Sequence, residues 1–377
     1  MTSKKLTLSL MAATALLSSI AFAEEVTLDP IVVGSDFRAK KLSKTSNSVT
    51  VIGEEEVYDK ASQTLIETLA SSPNVNFSAG ASKAKYIQIR GIGERSQFET
   101  PLNPSVGLVV DGIDFSNITL GAAMFDVKQI EVLRGPQGTK FGANGMAGVV
   151  NVKSNEPTEE LETHLETTIG NYNTKAVGLA ISGPLVQDKL EGRVSIYKNT
   201  SDGYTHNSYL DRKDTQNIDE LSFKSQLRWY VNDDHTIDVT FMHVNVDNGY
   251  DAFTQDNTRT TSSDEPGHDY QRTNAFAVKS TYQLTPAMHL VSQLSHSNSD
   301  IEYSYDEDWT YVGEYAFGYK AVDQYLRKKK QTDIDVKLIS DEEGRIFNRT
   351  TDWTLGAYYK HYESDLTRNY TYFATPF

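Results

Sequence analysis

Between Tyr86 and Ser154 the chain reads Tyr-Ile-Gln-Ile-Arg-Gly-Ile-Gly (86–93) and Ser-Val-Gly-Leu-Val-Val-Asp-Gly-Ile-Asp-Phe-Ser (105–116). It continues as Ile-Glu-Val-Leu-Arg-Gly-Pro-Gln-Gly-Thr-Lys-Phe-Gly-Ala-Asn-Gly-Met-Ala-Gly-Val-Val-Asn-Val-Lys-Ser (130–154). These are short apolar strands joined by tight glycine turns. Asp111-Gly112 between Val109-Val110 and Ile113 predicts a two-residue hairpin, because both turn positions favour positive φ. Gly135, Gly138, Gly142, Gly145 and Gly148 suit a backbone that bends sharply and packs closely.

Upstream of this stretch, Ser48 to Gly53 reads as a strand. Ser62 to Ser71 reads as a helix with Leu65, Ile66 and Leu69 on one face, stopped at Ser72-Pro73. Asn74 to Phe77 returns to strand. Mixed short strands and helices up to about Ser154 predict a compact α+β unit. The N-terminus has the grammar of a secretory signal over residues 1–23. Lys4 and Lys5 precede an apolar run from Leu6 to Ile20, and Ala21-Phe22-Ala23 is a small-x-small cleavage site. Residues 24–42 are a polar tail broken by Leu28-Asp29-Pro30-Ile31-Val32-Val33. Ile-Val-Val has high β propensity, and such a segment can add as a strand to a partner's exposed sheet edge. An ordinary first strand is the other reading.

Downstream of Asn155-Glu156-Pro157 the pattern changes to period two. Leu161, Leu165 and Ile169 oppose Glu162, His164 and Glu166. Phe223, Leu227, Trp229 and Val231 oppose Lys224, Gln226 and Arg228. Ile334, Val336 and Leu338 oppose Asp333, Asp335 and Lys337. This alternation is that of transmembrane β-strands, although a soluble sandwich also alternates. The connections decide between them. Gly183–Asp188, Asn232–His235 and Thr285–Met288 are short, whereas Ser201–Asp219, Asn248–Arg272 and Glu302–Lys330 are long and polar. Gly170–Asn173 is shorter, and Ser340–Thr351 longer, than the scheme expects. The count is about nine or ten strands. Only a barrel of about 22 strands holds a folded domain in its lumen. The expectation is therefore the front portion of a longer chain.

Composition agrees. The chain has 377 residues, a net charge of −15 and no cysteine. The acidic balance argues against nucleic acid as a partner. With 23% charged residues and a mean hydropathy of −0.47, a polytopic helical membrane protein is ruled out. The 21 Tyr and 15 Phe suit strands with aromatic girdles. No Gly-x-Ser-x-Gly, His-Glu-x-x-His or phosphate-binding loop occurs, so no catalytic residue and no metal site are assigned and no enzyme is expected. No cofactor is expected either. His289 and His296 lie in one strand at odd spacing, which puts them on opposite faces.

The Ile-Arg-Gly strand at 89–91, the Val-Asp-Gly turn at 110–112 and the run from Glu131 to Val152 resemble, in order, the plug domain of TonB-dependent outer-membrane receptors. Asn144-Gly145 departs from the small pair that many relatives carry. The resemblance implies a plug over residues 43–155 and barrel strands over 156–377. It implies a TonB box at Leu28, Asp29, Pro30, Ile31, Val32 and Val33, docking the TonB energy-transducing protein. It also implies a Gram-negative outer-membrane location among lipid and uptake of a small metal chelate. A ferric siderophore is the expected ligand; haem, cobalamin, thiamine and oligosaccharide are alternatives, and a passive pore or structural outer-membrane barrel protein is the competing class. Arg90, Glu131 and Arg134 sit in apolar plug segments and must be paired. In the family such charges pair with carboxylates on the barrel wall; a pair within the plug is the other possibility. Arg95, Gln97, Phe98, Glu99, Asn103, Phe115 and Asn117 fall at the end opposite the Asp111-Gly112 turn, which in the family faces outward and touches ligand. Mixed aromatic and polar groups there suit a chelate of medium size.

Overall fold

The computed structural model describes residues 32–34, 37–38, 40–60, 62–79, 81–96, 101–118, 124–315 and 319–374. The signal segment, Leu28 to Ile31 of the box, Gln97, Phe98 and Glu99 lie outside the described residues.

In chain order the first unit has β1 (Val32–Val33), β2 (Lys40–Lys41), β3 (Ser48–Gly53), α1 (Glu54–Asp59), α2 (Leu65–Leu69), β4 (Val75–Ala79) and β5 (Ala84–Ile89). Next come β6 (Val106–Val110), β7 (Ile113–Asp114), β8 (Val127–Arg134), α3 (Gly138–Phe141) and β9 (Gly148–Ser154). A five-stranded sheet has the order β3-β8-β9-β6-β7. Only β6 and β9 run parallel within it. The predicted hairpin is present. Asp111 (φ 49°) and Gly112 (φ 81°) both take the left-handed conformation, and Val110 pairs with Ile113.

Every residue of β6 is buried, as is the run from Ile130 to Arg134 in β8. Such strands carry no alternation because both faces are covered. Their core gathers Ile52, Leu69, Ile89, Leu108, Phe115 and Ile130, and it continues into Met242, Ala275 and Ala277 of the second unit. The α2 helix is shorter than its sequence suggests. Thr64 and Glu67 form a capping box that sets its start at Leu65. The α1 helix had no periodic signal, since Val57 is its sole buried residue; Glu54, Glu55 and Glu56 in its first turn complement the helix dipole.

The second unit is an antiparallel meander. Its strands are β10 (Glu162–Ile169), β11 (Lys175–Val186), β12 (Leu190–Ser201), β14 (Ile218–Asn232), β15 (His235–Tyr250), β17 (Gly267–Thr285), β18 (Met288–Asp306), β19 (Tyr319–Ser340) and β20 (Thr354–Ala374). These nine pair strictly with their chain neighbours. The ribbon of β13 (His206–Asn207) and β16 (Thr260–Thr261) ties the two long loops together. Among the described residues β10 and β20 are edges and the sheet is open. Ile169, Leu179, Trp229, Phe241, Phe276 and Ile334 stand exposed on the face away from the first unit.

One expected loop is corrected. Glu302–Lys330 is not a single connection, because β18 runs to Asp306 and β19 begins at Tyr319. On the outward face there Leu326 and Val322 alternate with Gln324 and Lys328 and oppose Glu302 and Asp306, so the apolar half of the alternation is diluted while the backbone ladder persists from Asp300↔Lys328 to Asp306↔Val322.

Candidate functional site

The inner face of the meander is polar and grips the first unit through charges. Asp126 is 1% exposed and sits at the entry to β8. Arg193 of β12 donates to its two carboxylate oxygens, Nε at 3.1 and 3.0 Å and Nη2 at 2.5 Å. Asn155 Nδ2 adds a bond at 3.2 Å, and the Lys224 ammonium lies 3.9 Å away. The residue before Asp126 serves the same junction, since Phe125 stacks on Tyr197 with ring centroids 5.6 Å apart.

A second junction lies on β19 and β20. Lys360 Nζ and Gln331 Nε2 each donate to Asp114 Oδ2 at 3.0 Å, and Asn144 Nδ2 does so at 2.6 Å. Burial by itself raises the Asp114 carboxyl pKa. The Lys360 charge and the bonds from Ser116 and Gln331 outweigh it and hold the group below its ordinary value, so it stays ionised. The Asn144 departure from the family pattern is thus part of this junction. Gln293 of β18 donates to the Gly112 carbonyl at 2.6 Å. Beside this turn a cavity of about 590 Å³ opens between plug and wall, lined by Lys128, Asn151, Lys153, Arg228, Asp238 and Lys279.

The third junction lies at the end of the plug opposite that turn. Lys83 pairs with Glu220 at 2.5 Å and Lys85 with Asp269 at 2.8 Å. Ser82 donates its N–H and its hydroxyl to Asp269, which is fully buried. Above it Tyr250, Tyr303 and Tyr325 cluster with Ala81, Phe253 and Tyr305. Phe253 stacks on Trp309 with centroids 4.7 Å apart and an interplanar angle of 7°. Arg327 and Arg368 lie over the Tyr325 ring at 5.6 and 5.1 Å, and Arg368 Nη2 pairs with Asp323 at 2.7 Å. Lys329 Nζ donates to the Asn117 carbonyl at 3.1 Å.

Arg90, Glu131 and Arg134 do not form one network. Glu131 and Arg134 are three apart in one strand and project from opposite faces. Glu131 is paired inside the plug. Lys153 Nζ is 2.5 Å away, and Gln129, Asn151 and the Gly34 N–H also donate to it. Burial raises the Glu131 carboxyl pKa, but Lys153 and Gly34 outweigh burial and hold it low. Arg134 bonds the Pro73 carbonyl at 2.9 and 3.1 Å. Burial first, then the nearby Arg90 charge, pushes its guanidinium below the ordinary value. Arg90 is exposed and makes no ion pair with a described residue.

Phe115 is corrected outright. It is fully buried in the plug core and its N–H donates to the Leu108 carbonyl, so it presents nothing to a ligand. Arg95 and Asn103 are exposed, and Asn117 meets the wall through its carbonyl. Of the box, Val32–Val33 pairs with Lys40–Lys41 and Val33 is fully buried. The Gly34 carbonyl accepts from Lys140. The sequence reading missed Asp126, Asp114, Lys83, Lys85 and the wall tyrosines. Inward parity within each predicted strand was the signal that could have found the wall residues.

A small α+β domain docked by buried charges on the polar face of an antiparallel sheet, whose other face is apolar and exposed, defines a plugged β-barrel wall. Residues 41–149 match the family model described as the TonB-dependent receptor plug domain. The chain is similar to the pesticin receptor of Yersinia pestis, 29% identical over 177 residues, which are 46% of this chain and 25% of that protein. It is similar to the ferric enterobactin receptor PirA of Pseudomonas aeruginosa, 23% identical over 327 residues, 72% of this chain and 43% of that one. The crystal structure of the ferric yersiniabactin uptake receptor FyuA from Yersinia pestis superposes with a TM-score of 0.74 at 18% identity, covering 87% of this chain and 50% of that one. The chain carries a TonB-dependent receptor plug domain over residues 41–149, followed by an antiparallel sheet whose fold is that of the receptor barrels. It spans between a quarter and a half of the length of these relatives.

Proposed function

We propose that this chain is the plug and front barrel wall of a receptor that imports a ferric siderophore across a Gram-negative outer membrane. Residues 1–23 direct export, 24–42 carry the TonB box, 43–155 are the plug and 156–377 are barrel. The observation that carries the reading is the plug seated by Asp126, Asp114 and Asp269 on the polar face of a sheet whose opposite face is apolar. That design keeps a domain inside a wall and lipid outside it. A passive pore would have no use for three buried charge junctions that close its lumen. An enzymatic role finds no support in the residues. The names of the similar receptors, for ferric enterobactin and ferric yersiniabactin, support iron chelates over haem, thiamine or oligosaccharide.

In transport, the box segment passes force to the plug. Val33 is held through β2, and Gly34 through Glu131 and Lys140, so a pull on Leu28–Val33 acts first on the Glu131–Lys153 pair. The adjoining cavity gives a moving plug room to shift against the wall. The test is uptake of iron-55 delivered as a panel of ferric siderophores, by cells that carry the complete receptor as their sole route. Accumulation of at least one chelate that stops when the TonB protein is deleted is the expected result. Uptake that is indifferent to TonB would establish the pore instead.

A further inference from the structure

Three buried carboxylate oxygens share one corner of the long loops. Asp306 Oδ2, Asp308 Oδ1 and Asp264 Oδ1 have no hydrogen-bond donor among the described residues. Asp306 ends β18, well past the exposed apolar Leu294 of that strand, and is 5% exposed. Its Oδ1 accepts from the Asp308 N–H at 3.2 Å. Its carboxyl also meets that of Asp308, two acceptors in contact with no donor between them. Burial first, and then this contact, push the Asp306 pKa above its ordinary value, and the Ser263 hydroxyl offsets only part of the rise. Asp264 faces them from the other loop, where its N–H donates to the Thr310 carbonyl at 3.0 Å. Burial raises the Asp264 pKa; Lys320 opposes the rise and the Asp308 charge adds to it.

The surrounding groups leave this corner negative. Lys320 is already paired with Glu265. Glu307 accepts from the Tyr370 hydroxyl at 2.5 Å, Glu314 from that of Thr310, and Asp323 pairs with Arg368. Asp251 accepts from Asn207 and Thr261 at 3.0 and 2.7 Å. Among the described residues no Lys, Arg or His comes within salt-bridge distance of Asp264, Asp306 or Asp308. A buried acceptor without a donor has lost its hydration for nothing, so such a group calls for an ion or a proton. One shared proton serves a single pair of oxygens and leaves the third charge uncompensated. A divalent cation serves the pair and offsets the third charge as well. Among the described residues no three His, Asp or Glu converge into a closed metal cage. The ion therefore has two carboxylates, the nearby Ser263 hydroxyl and water. Calcium accepts such an irregular oxygen shell, whereas magnesium demands a near-ideal octahedron.

We propose that Asp306 and Asp308 bind a calcium ion, which clasps the loop after β18 to the loop before β17, with Asp264 adding charge from the second loop. The same seam carries the stack of Trp309, next in the chain after Asp308, on Phe253 of the other loop. The clasp thus sets the order of this aromatic pair, whatever ligand the receptor carries.

The experiment uses the complete receptor in detergent, stripped of divalent ions by chelator. Titration calorimetry with calcium chloride reads binding, and amide exchange over residues 262–266 and 306–311 reads the clasp. Calcium should bind with a Kd of about 10⁻⁴–10⁻³ M, the range of weak outward-facing sites, and magnesium at least about ten-fold more weakly. Saturating calcium should slow exchange in both segments together. Asp306→Asn keeps the side chain's shape and removes one charge. It should weaken calcium binding at least about ten-fold, which is about 1.4 kcal/mol, while exchange over Val127–Arg134 stays at the wild-type rate and reports an intact fold. No binding at about 10 mM calcium, well above that range, overturns the proposal. So does Asp306→Asn binding calcium like wild type. Exchange that ignores calcium but slows on acidification from about pH 9 to about pH 7 overturns it too, and assigns the pair a shared proton instead.

Discussion

Replacing Asp126 with alanine should weaken the docking of the plug on its wall by about 3–5 kcal/mol, the cost of removing one partner from a buried ion pair. The loss falls on two cations. Arg193 is 3% exposed and, among the described residues, would keep only Glu162, at 3.3 Å, as an ionic partner; Lys224 is 6% exposed and would keep none among them. Asn155 loses an acceptor at the same time. Because Asp126 stands directly before β8, the slack enters the central sheet. Amide hydrogen exchange in the complete receptor reads this locally. Exchange across Val127–Arg134 should accelerate by about a hundred- to a few thousand-fold. Adding Arg193→Met and Lys224→Met to Asp126→Ala should recover most of the protection, since a buried ion pair is often replaceable by apolar side chains of similar size. Unaltered exchange in Asp126→Ala would show that the plug is held elsewhere.

Phe115→Ala should destabilise the plug by about 3–5 kcal/mol. Phe115 is among the largest fully buried side chains and shares a core with Leu108, Ile113 and Ile130. Truncation removes a ring from a two-sided sheet that cannot collapse around the gap, because the barrel wall fixes its far side through Met242, Ala275 and Ala277. The midpoint of plug unfolding in guanidinium should fall, while chelate affinity measured well below that midpoint stays within a few-fold of wild type. The reverse outcome, intact stability with lost affinity, would restore Phe115 to the ligand site.

That residue illustrates where the sequence misleads. Phe115 is followed by Ser116 and Asn117, and an aromatic beside polar residues looks like a loop tip. Only the return of the chain from β7, with Phe115 N–H bonded to Leu108, turns the ring inward. Local features were legible because their causes are local. Asp111-Gly112 dictates a hairpin, Ser48–Gly53 matches β3 residue for residue, and His289 and His296 do fall on opposite faces, bonded to Asp341 and Thr332. The alternation gave the strand order of the wall because each strand pairs with its chain neighbour. Partnerships at long range were not legible. Nothing in Phe125-Asp126-Val127 announces Arg193, 67 residues on. Glu131 found Lys153 across β8 and β9 because Lys153 neighbours Asn151 on a strand whose register no local rule predicts. Nothing beside Lys83 and Lys85 announces their carboxylates, which belong to strands 137 and 184 residues away.

The central claim is that force on the box, rather than free diffusion, drives uptake. The direct measurement compares wild type with Ile31→Pro in the complete receptor, scoring chelate binding at the cell surface and iron-55 accumulation in the same cells. Proline at 31 removes a backbone donor from a strand that would pair with the partner and fixes φ near −65°. The box precedes the plug in the chain, so surface binding should stay at the wild-type level. Accumulation should fall to that of cells lacking TonB. Accumulation at the wild-type rate with Ile31→Pro would contradict the account.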